Sequence, residues 1–276
     1  MNCKLWQILP FYFTLSSNMK FSLNDNLYLS KVITSLAEVV DFVNIECREE
    51  GITMISMDPQ NVCLVSMHLH AGGFESYVCE EEQVMGLNIG FLRKVIGRIC
   101  ERSSVEMSSS ESDDEVDFVF RSHNNKATAR FTFFLMTIDD DSFDIPDLHY
   151  TSSFKIPSTE LKKICTPMAQ FGDTLIILVK VDEIRFSVRG ATWFGSTSIR
   201  RPLFPGVGRY GGVVINCSTE VVQKLPLEHM ISIAKAATLS KDVSFTLSSE
   251  GPIRIEYRMG DLGHIRFYLA PKIDED

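Results

Sequence analysis

Three short stretches, "LSKVI" (29–33), "LRKVI" (92–96) and "LKKIC" (161–165), share one pattern: leucine, any residue, lysine, then two apolar residues. Each runs on with helical spacing. The apolar positions are Leu29, Val32, Ile33, Leu36 and Val40, then Leu92, Val95, Ile96 and Ile99, then Leu161, Ile164, Cys165 and Met168. Spacing of three and four residues marks the buried stripe of an amphipathic helix. A fourth helix carries Met230, Ile233, Ala234 and Ala237, with Ser232 in the lysine's place and Lys235 one turn on.

Outward from these helices the chain repeats itself. The same interval separates Lys31 from Ile52 and Lys163 from Ile184, and a second shared interval separates Leu87 from Val105 and Leu225 from Val243. Two halves, 19–133 and 151–276, therefore share a register, with 134–150 between them and 1–18 outside the repeat. Strands alternate clearly: Ile184, Phe186 and Val188 interleave with Arg185, Ser187 and Arg189, and Ile253, Ile255 and Tyr257 interleave with Arg254 and Glu256. Alternation of period two means one buried and one wet face, hence antiparallel sheet. The expected class is α+β, each half placing two helices on antiparallel sheet.

With 276 residues, 45% of them apolar, the chain can fill a large core. The formal net charge of −9 gives no overall attraction to nucleic acid. Seven cysteines, an odd number with no CxxC pair, fit buried free thiols and no disulfide framework or zinc site. Residues 1–18, "MNCKLWQILPFYFTLSSN", are apolar but too short and interrupted to span a bilayer. They read as an extension, with Met19 a possible natural start, and no membrane association is expected.

On a helical wheel the lysine of each repeat falls opposite the apolar stripe. Lys31, Lys94 and Lys163 thus point away from the sheet, with Arg98 and Lys235 on the same kind of face. A charged outer face is common to amphipathic helices. Here its sign is informative: the helical segments carry more Lys and Arg than Glu, while acid gathers at 80–82, 111–117, 139–147 and the C-terminus. Such segregation suits helices that face a polyanion.

The segments "GITMISMD" (51–58), "MGLNIGFLRKVI" (85–96), "KAATLS" (235–240) and above all "IEYRMGDLGHIRFYLAPKIDED" (255–276) resemble the proliferating cell nuclear antigen family of DNA sliding clamps. The resemblance runs from Met19 to Asp276, with a local difference near 195–212. It implies a nuclear, non-enzymatic homotrimer without cofactor or metal. Its two-domain subunits close head to tail into a ring, helices inside, sheets outside. Such a ring encircles duplex DNA without reading sequence. It tethers DNA polymerases, the clamp loader and repair enzymes, those of translesion synthesis and mismatch repair included. The DNA-facing set it implies is Lys31, Lys94, Arg98, Lys163 and Lys235, with His229 beside them. Ser30, Gly97 and Gln170 stand where the family is usually basic or carries histidine, and Val181, beside Lys180, stands at its modifier-attachment lysine.

The run "TIDDDSFDIPDLHY" (137–150) then becomes the connector between domains. Adjacent aspartates repel one another and keep a strap solvated. Beside it the resemblance implies a pocket for short aromatic-anchored helical peptides. Met57, Val62, Leu64 and Pro252 form its floor, and Phe143, Ile145, Pro146, Tyr268, Ala270 and Pro271 its walls. Residues 127–135 form a long apolar edge, hazardous if unpaired. Pairing is expected with a neighbour's 196–201, anchored by Phe131, so that closure removes every edge.

Other motifs carry less. Gly206, Gly208 and Gly211 spell GxGxxG, but Pro202 and Pro205 precede them and a strand follows, so no dinucleotide loop is expected. His68 and His70 share a strand face without a third ligand nearby. Two alternatives stay open: a subunit of a heterotrimeric checkpoint clamp, and a metal-dependent nucleic-acid enzyme built on 139–147.

Overall fold

The computed structural model describes residues 18–99, 103–109, 114–123, 126–139, 143, 145, 148–202 and 212–272. The extension before Asn18, most of the acidic run, Pro146 and the GxGxxG stretch lie outside the described residues. The first half runs β1 (Met19–Leu23), α1 (Leu27–Leu36), β2 (Phe42–Arg48), β3 (Gly51–Met57), β4 (Cys63–His70), β5 (Ser76–Cys79), β6 (Gln83–Asn88), α2 (Ile89–Ile96), β7 (Ser103–Ser109), β8 (Glu115–Ser122) and β9 (Thr128–Phe134). The second repeats that order: β10 (Ser152–Pro157), α3 (Ser158–Met168), β11 (Thr174–Val179), β12 (Glu183–Arg189), β13 (Phe194–Arg200), β14 (Val214–Cys217), β15 (Val221–Pro226), α4 (Leu227–Lys235), β16 (Asp242–Leu247), β17 (Ile253–Arg258) and β18 (Gly263–Leu269). The class is α+β. Ile52 and Ile184 are each second in their strands, and Leu87 and Leu225 each fifth.

The helices are shorter than their apolar patterns. α1 stops at Leu36 and α2 at Ile96, where the N–H of Gly97 still bonds to the Arg93 carbonyl at 2.9 Å. Val40 is nonetheless buried, because the turn after α1 folds it back onto the core. After α4 the chain tightens into a 3₁₀ turn, Ala236–Thr238, which takes Ala237 out of the helix.

Three sheets result. One orders its strands β5-β1-β7-β8-β9, a second β13-β12-β11-β15, and a nine-stranded sheet runs β14-β10-β16-β17-β18-β4-β3-β2-β6. The halves are joined inside the last by β4 and β18, antiparallel from Leu69↔Gly263 to Cys63↔Leu269. Gly263 is needed at this joint: its φ is +135°, and a Cβ there would lie 2.0 Å from the His68 carbonyl oxygen. Side chains alternate across the joint. Val65, Phe267, Ile255 and Phe245 are fully buried on one face. Leu64, Tyr268, Arg254 and Thr246 form a cross-strand row on the other.

The helices close one side of each half. α3 packs on α4 and touches β10, β12 and β16, while α4 touches β11 and β15, so the pair spans two sheets. α1 packs on α2 and reaches α4 across the joint. After each half's last strand the chain turns along another edge: Met136 N–H donates to the Gly86 carbonyl at 2.9 Å, and Lys272 N–H to the Lys224 carbonyl at 2.7 Å. A Cβ on Gly86 would lie 1.9 Å from the Met136 carbonyl oxygen, so this close approach requires glycine. Among the described residues β9 and β13 each have a free edge, but so do β5 and β14. Pairing β9 with β13 therefore does not remove every edge. β5 and β14 have four residues each, and very short edge strands present little template for pairing.

Candidate nucleic-acid interface and partner pocket

The lysines of the repeat sit on the helical side. In α1, Leu29, Val32, Ile33 and Leu36 are buried, and Lys31 lies over the Tyr28 ring with Nζ 5.5 Å from its centroid. In α2, the Asn88 side chain caps the helix by accepting from Phe91 N–H at 2.9 Å. Ile89, Leu92 and Ile96 point in, while Lys94 is exposed, its Nζ 5.0 Å from the Phe91 ring centroid. Arg98 is exposed just past the helix. In α3, Lys163 is 60% exposed and pairs with Glu160 at 3.1 Å.

Contacts between elements bring the helices that carry these cations together: α1 packs on α2 and α4, and α3 on α4. Lys31 and Thr159, at the start of α3, line one cleft of about 740 Å³ together with residues 237–242 that follow α4. Glu38, beyond α1, binds Arg93 of α2 at 2.9 Å and also Lys235 of α4. One carboxylate thus ties three helices while two cations keep access to solvent. Arg93 and Lys162 add exposed positive charge to the same helices. Neither stood out in the sequence, because neither sits at the repeated lysine position.

His229 is placed differently from the expectation. Its wheel position is polar, but its Nε2 lies 3.0 Å from Asp58 Oδ2 and its side chain is only 12% exposed. Asp58, from the other half, also accepts from the N–H groups of Gln60, Val62 and Cys63 at 3.3, 2.7 and 2.6 Å. His229 therefore fastens α4 to the 58–63 turn and offers little to an external ligand. Burial works against charge on Asp58, yet the Cys63 N–H, His229 and the Val62 N–H together hold its pKa below the ordinary carboxylate range. A carboxyl with a lower pKa folded than unfolded stabilises the fold at neutral pH, and loses that contribution as pH falls from about 4 through its folded pKa. Asp58→Ala is expected to cost about 2–4 kcal/mol at pH 7 by leaving buried donors unpaired. Thermal melts of both proteins should show the gap narrowing below pH 4; a constant gap would assign the loss to packing.

Around the outer row, Leu64 and Tyr268 are cross-strand partners with little exposure of their own. Met57 pairs with Leu64 from the other side, and Ala270 N–H donates to the Val62 carbonyl at 3.0 Å. Met57, Val62, Pro252, Ala270, Pro271 and Phe143 are half-buried, and Ile145 is 37% exposed. The strands thus hold the proposed floor as a rigid row, with the connector's apolar residues left partly open. Phe131 of β9 is half-buried, edge-on to Phe120 with centroids 6.3 Å apart.

The outer face also brings His264 against His68 and His70, with ring centroids 5.8 and 6.4 Å away. This third imidazole comes from the other half, so the pair is not alone as expected. Burial first and Arg266 second push the His264 pKa down to about 4, so it is neutral at pH 7. Among the described residues, no group of three such side chains is placed to hold a metal ion, and no helix is long and apolar enough to cross a membrane.

Residues 19–143 match the family model "Proliferating cell nuclear antigen, N-terminal domain", and residues 144–272 match "Proliferating cell nuclear antigen, C-terminal domain". The proliferating cell nuclear antigen of Chaetomium thermophilum is 31% identical over 249 residues, covering 90% of this chain and 95% of that protein. With a doubled strand–helix order, a shared central sheet and a lysine-bearing helical side, the chain belongs to the proliferating cell nuclear antigen family, the DNA sliding clamps.

Proposed function

We propose that three copies of this chain close head to tail into a ring whose helical side, through Lys31, Lys94, Arg98, Lys163 and Lys235, tracks duplex DNA in the nucleus. The observation that carries this is the identity of the free edges. β9 and β13 occupy the same places in the repeat as β18 and β4, the two strands that join the halves within the chain. Joining β9 to the β13 of another copy repeats a joint the fold already makes.

The register transfers too. Phe120↔Ala129 corresponds to Tyr257↔Ile265, and Ile52↔Leu69 corresponds to Ile184↔Ile199. Carrying over Ile265↔Met67 and Phe267↔Val65 sets Ala129 opposite Thr197, and Phe131 opposite Gly195, of the next copy. Gly195 leaves room there for the phenyl ring. Domains 19–133 and 151–276, linked by 134–150, are then equivalent units of the ring. Non-specific phosphate contacts from lysines hold DNA while letting it slide.

Two measurements test this. The purified protein should have three times the mass of one chain in light scattering. Once loaded, it should stay on circular DNA and leave when the circle is cut. A persistent 31.2 kDa monomer would favour a subunit of a mixed checkpoint-type ring.

The pocket reading assigns Met57, Val62, Leu64, Phe143, Ile145, Pro146, Pro252, Tyr268, Ala270 and Pro271 to the recognition of aromatic-anchored peptides from polymerases, the clamp loader and repair enzymes. Ile145→Ala with Tyr268→Ala is expected to lower the affinity of such a peptide by roughly 100-fold or more, as loss of two anchoring contacts implies. Fluorescence anisotropy measures it, with assembly mass checked in the same sample. Unchanged affinity would remove the assignment.

A further inference from the structure

The outer row that runs Met57, Leu64, Tyr268 does not end at Tyr268. Its next member is Arg254, then Thr246. Arg254 differs from its neighbours on the face. Arg258 and Arg266 both bind Glu256, and Lys155 faces Asp242 at 3.6 Å. Among the described residues Arg254 has only Thr246 Oγ1, 3.3 Å from Nη2, and the Tyr150 ring, whose centroid lies 5.1 Å from Cζ. Its Nε is buried without a hydrogen-bond partner, and so is the Tyr150 hydroxyl. Unpaired buried donors are costly, and a guanidinium stacked on an aromatic ring is held ready for a planar anion.

Arg254 also lines a hollow of about 340 Å³ on this face, with Lys155, Asn216 and Arg258, and with Glu256, which Arg258 and Arg266 already hold. Glu256 is shared by Arg258 and Arg266 and leaves Arg254 without a carboxylate, so the described side chains beside the apolar row carry more positive than negative charge. A partner covering both would meet apolar ground and then cationic ground.

We propose that Arg254 and Tyr150 form an anion subsite that reads a carboxylate in the segment flanking the aromatic anchors of an incoming peptide. This rests on the pocket reading above. The guanidinium donates to the carboxylate side-on, and the tyrosine hydroxyl donates to it as well. The hollow beyond admits further acidic side chains. Specificity then has two parts: aromatic anchors select the class of partner, and acidic flanks rank its members.

The test uses the full chain and peptides with one set of anchors, carrying two glutamates or two glutamines on either flank. By anisotropy at low salt, the acidic form on one flank should bind about tenfold more tightly, as one charge-assisted contact implies. The preference should shrink as salt rises. Arg254→Val should bring the Glu/Gln ratio close to one, and Tyr150→Phe should reduce it; melting and assembly mass establish that each variant is folded. If Arg254→Val does not fold, the wild-type ratio and Tyr150→Phe decide. Equal binding of Glu and Gln peptides on both flanks, or a ratio indifferent to both substitutions, overturns the subsite and leaves the pocket standing. Failure of every peptide to bind, glutamine forms included, overturns the pocket and the subsite together.

Discussion

Replacing Phe131 by serine is expected to turn the ring into folded single chains, a fall in light-scattering mass from three chains to one of 31.2 kDa. Phe131 holds in β9 the place that Phe267 holds in β18, and the two differ in cover. Phe267 is fully buried, because β4 lies alongside it; Phe131 is half-buried, because its edge is free in one chain. In the proposed ring a second copy supplies the missing cover through β13. Truncating a central aromatic anchor costs an interface about 2–4 kcal/mol, roughly 30- to 1,000-fold in dissociation constant at each seam. Phe267→Ser, at the equivalent place inside the chain, should instead lower the melting temperature sharply, since it opens a cavity in the core. A Phe131→Ser protein that keeps the mass of three chains would separate this edge from ring closure.

These two phenylalanines also show what the sequence could and could not disclose. The apolar character of β9 is plain in the chain, and so is the doubled spacing of the two halves, but the equivalence of β9 and β18 follows from the strand order. Period-two patterning identifies a buried face but says nothing about which strand lies alongside. The β4–β18 joint links residues about 200 positions apart in the chain, and no local signal specifies it. His229 shows the same limit: the resemblance sets it beside the cations of the helices, and no local signal discloses that Asp58 from the other half holds its ring. Arg254 was legible only as one wet-face residue of an alternating strand. Its lack of a carboxylate partner among the described residues appears once β17 is placed between β16 and β18, where Arg258 and Arg266 take Glu256. The helices gave the opposite case. Their buried stripes and lysine positions are local, so spacing sufficed, and only their ends, set by turns, were overrun.

Reversing Lys94 and Lys163 to glutamate should abolish retention on circular DNA while the mass of three chains is kept. Lys94 has no carboxylate partner among the described residues; its ammonium rests over Phe91, so its charge is free to act outward. Lys163 is 60% exposed and shares its charge with Glu160. In a three-copy ring the double change removes six cations from the helical side and adds six anions. Each lost phosphate contact lowers the salt dependence of binding by about one unit of log–log slope. Losing several contacts should weaken DNA retention by about 100-fold or more near physiological salt, with a visibly flatter dependence on salt concentration. Lys163→Glu also sets two acids three apart on one helix, a destabilisation of only a few tenths of a kcal/mol. The pair Lys94→Gln and Lys163→Gln controls for it: it removes the cations without adding repulsion, so retention should fall less but the slope should flatten. Retention at wild-type salt dependence in both double variants would mean that DNA does not run along the helices, and that the lysine repeat serves only to keep that side wet.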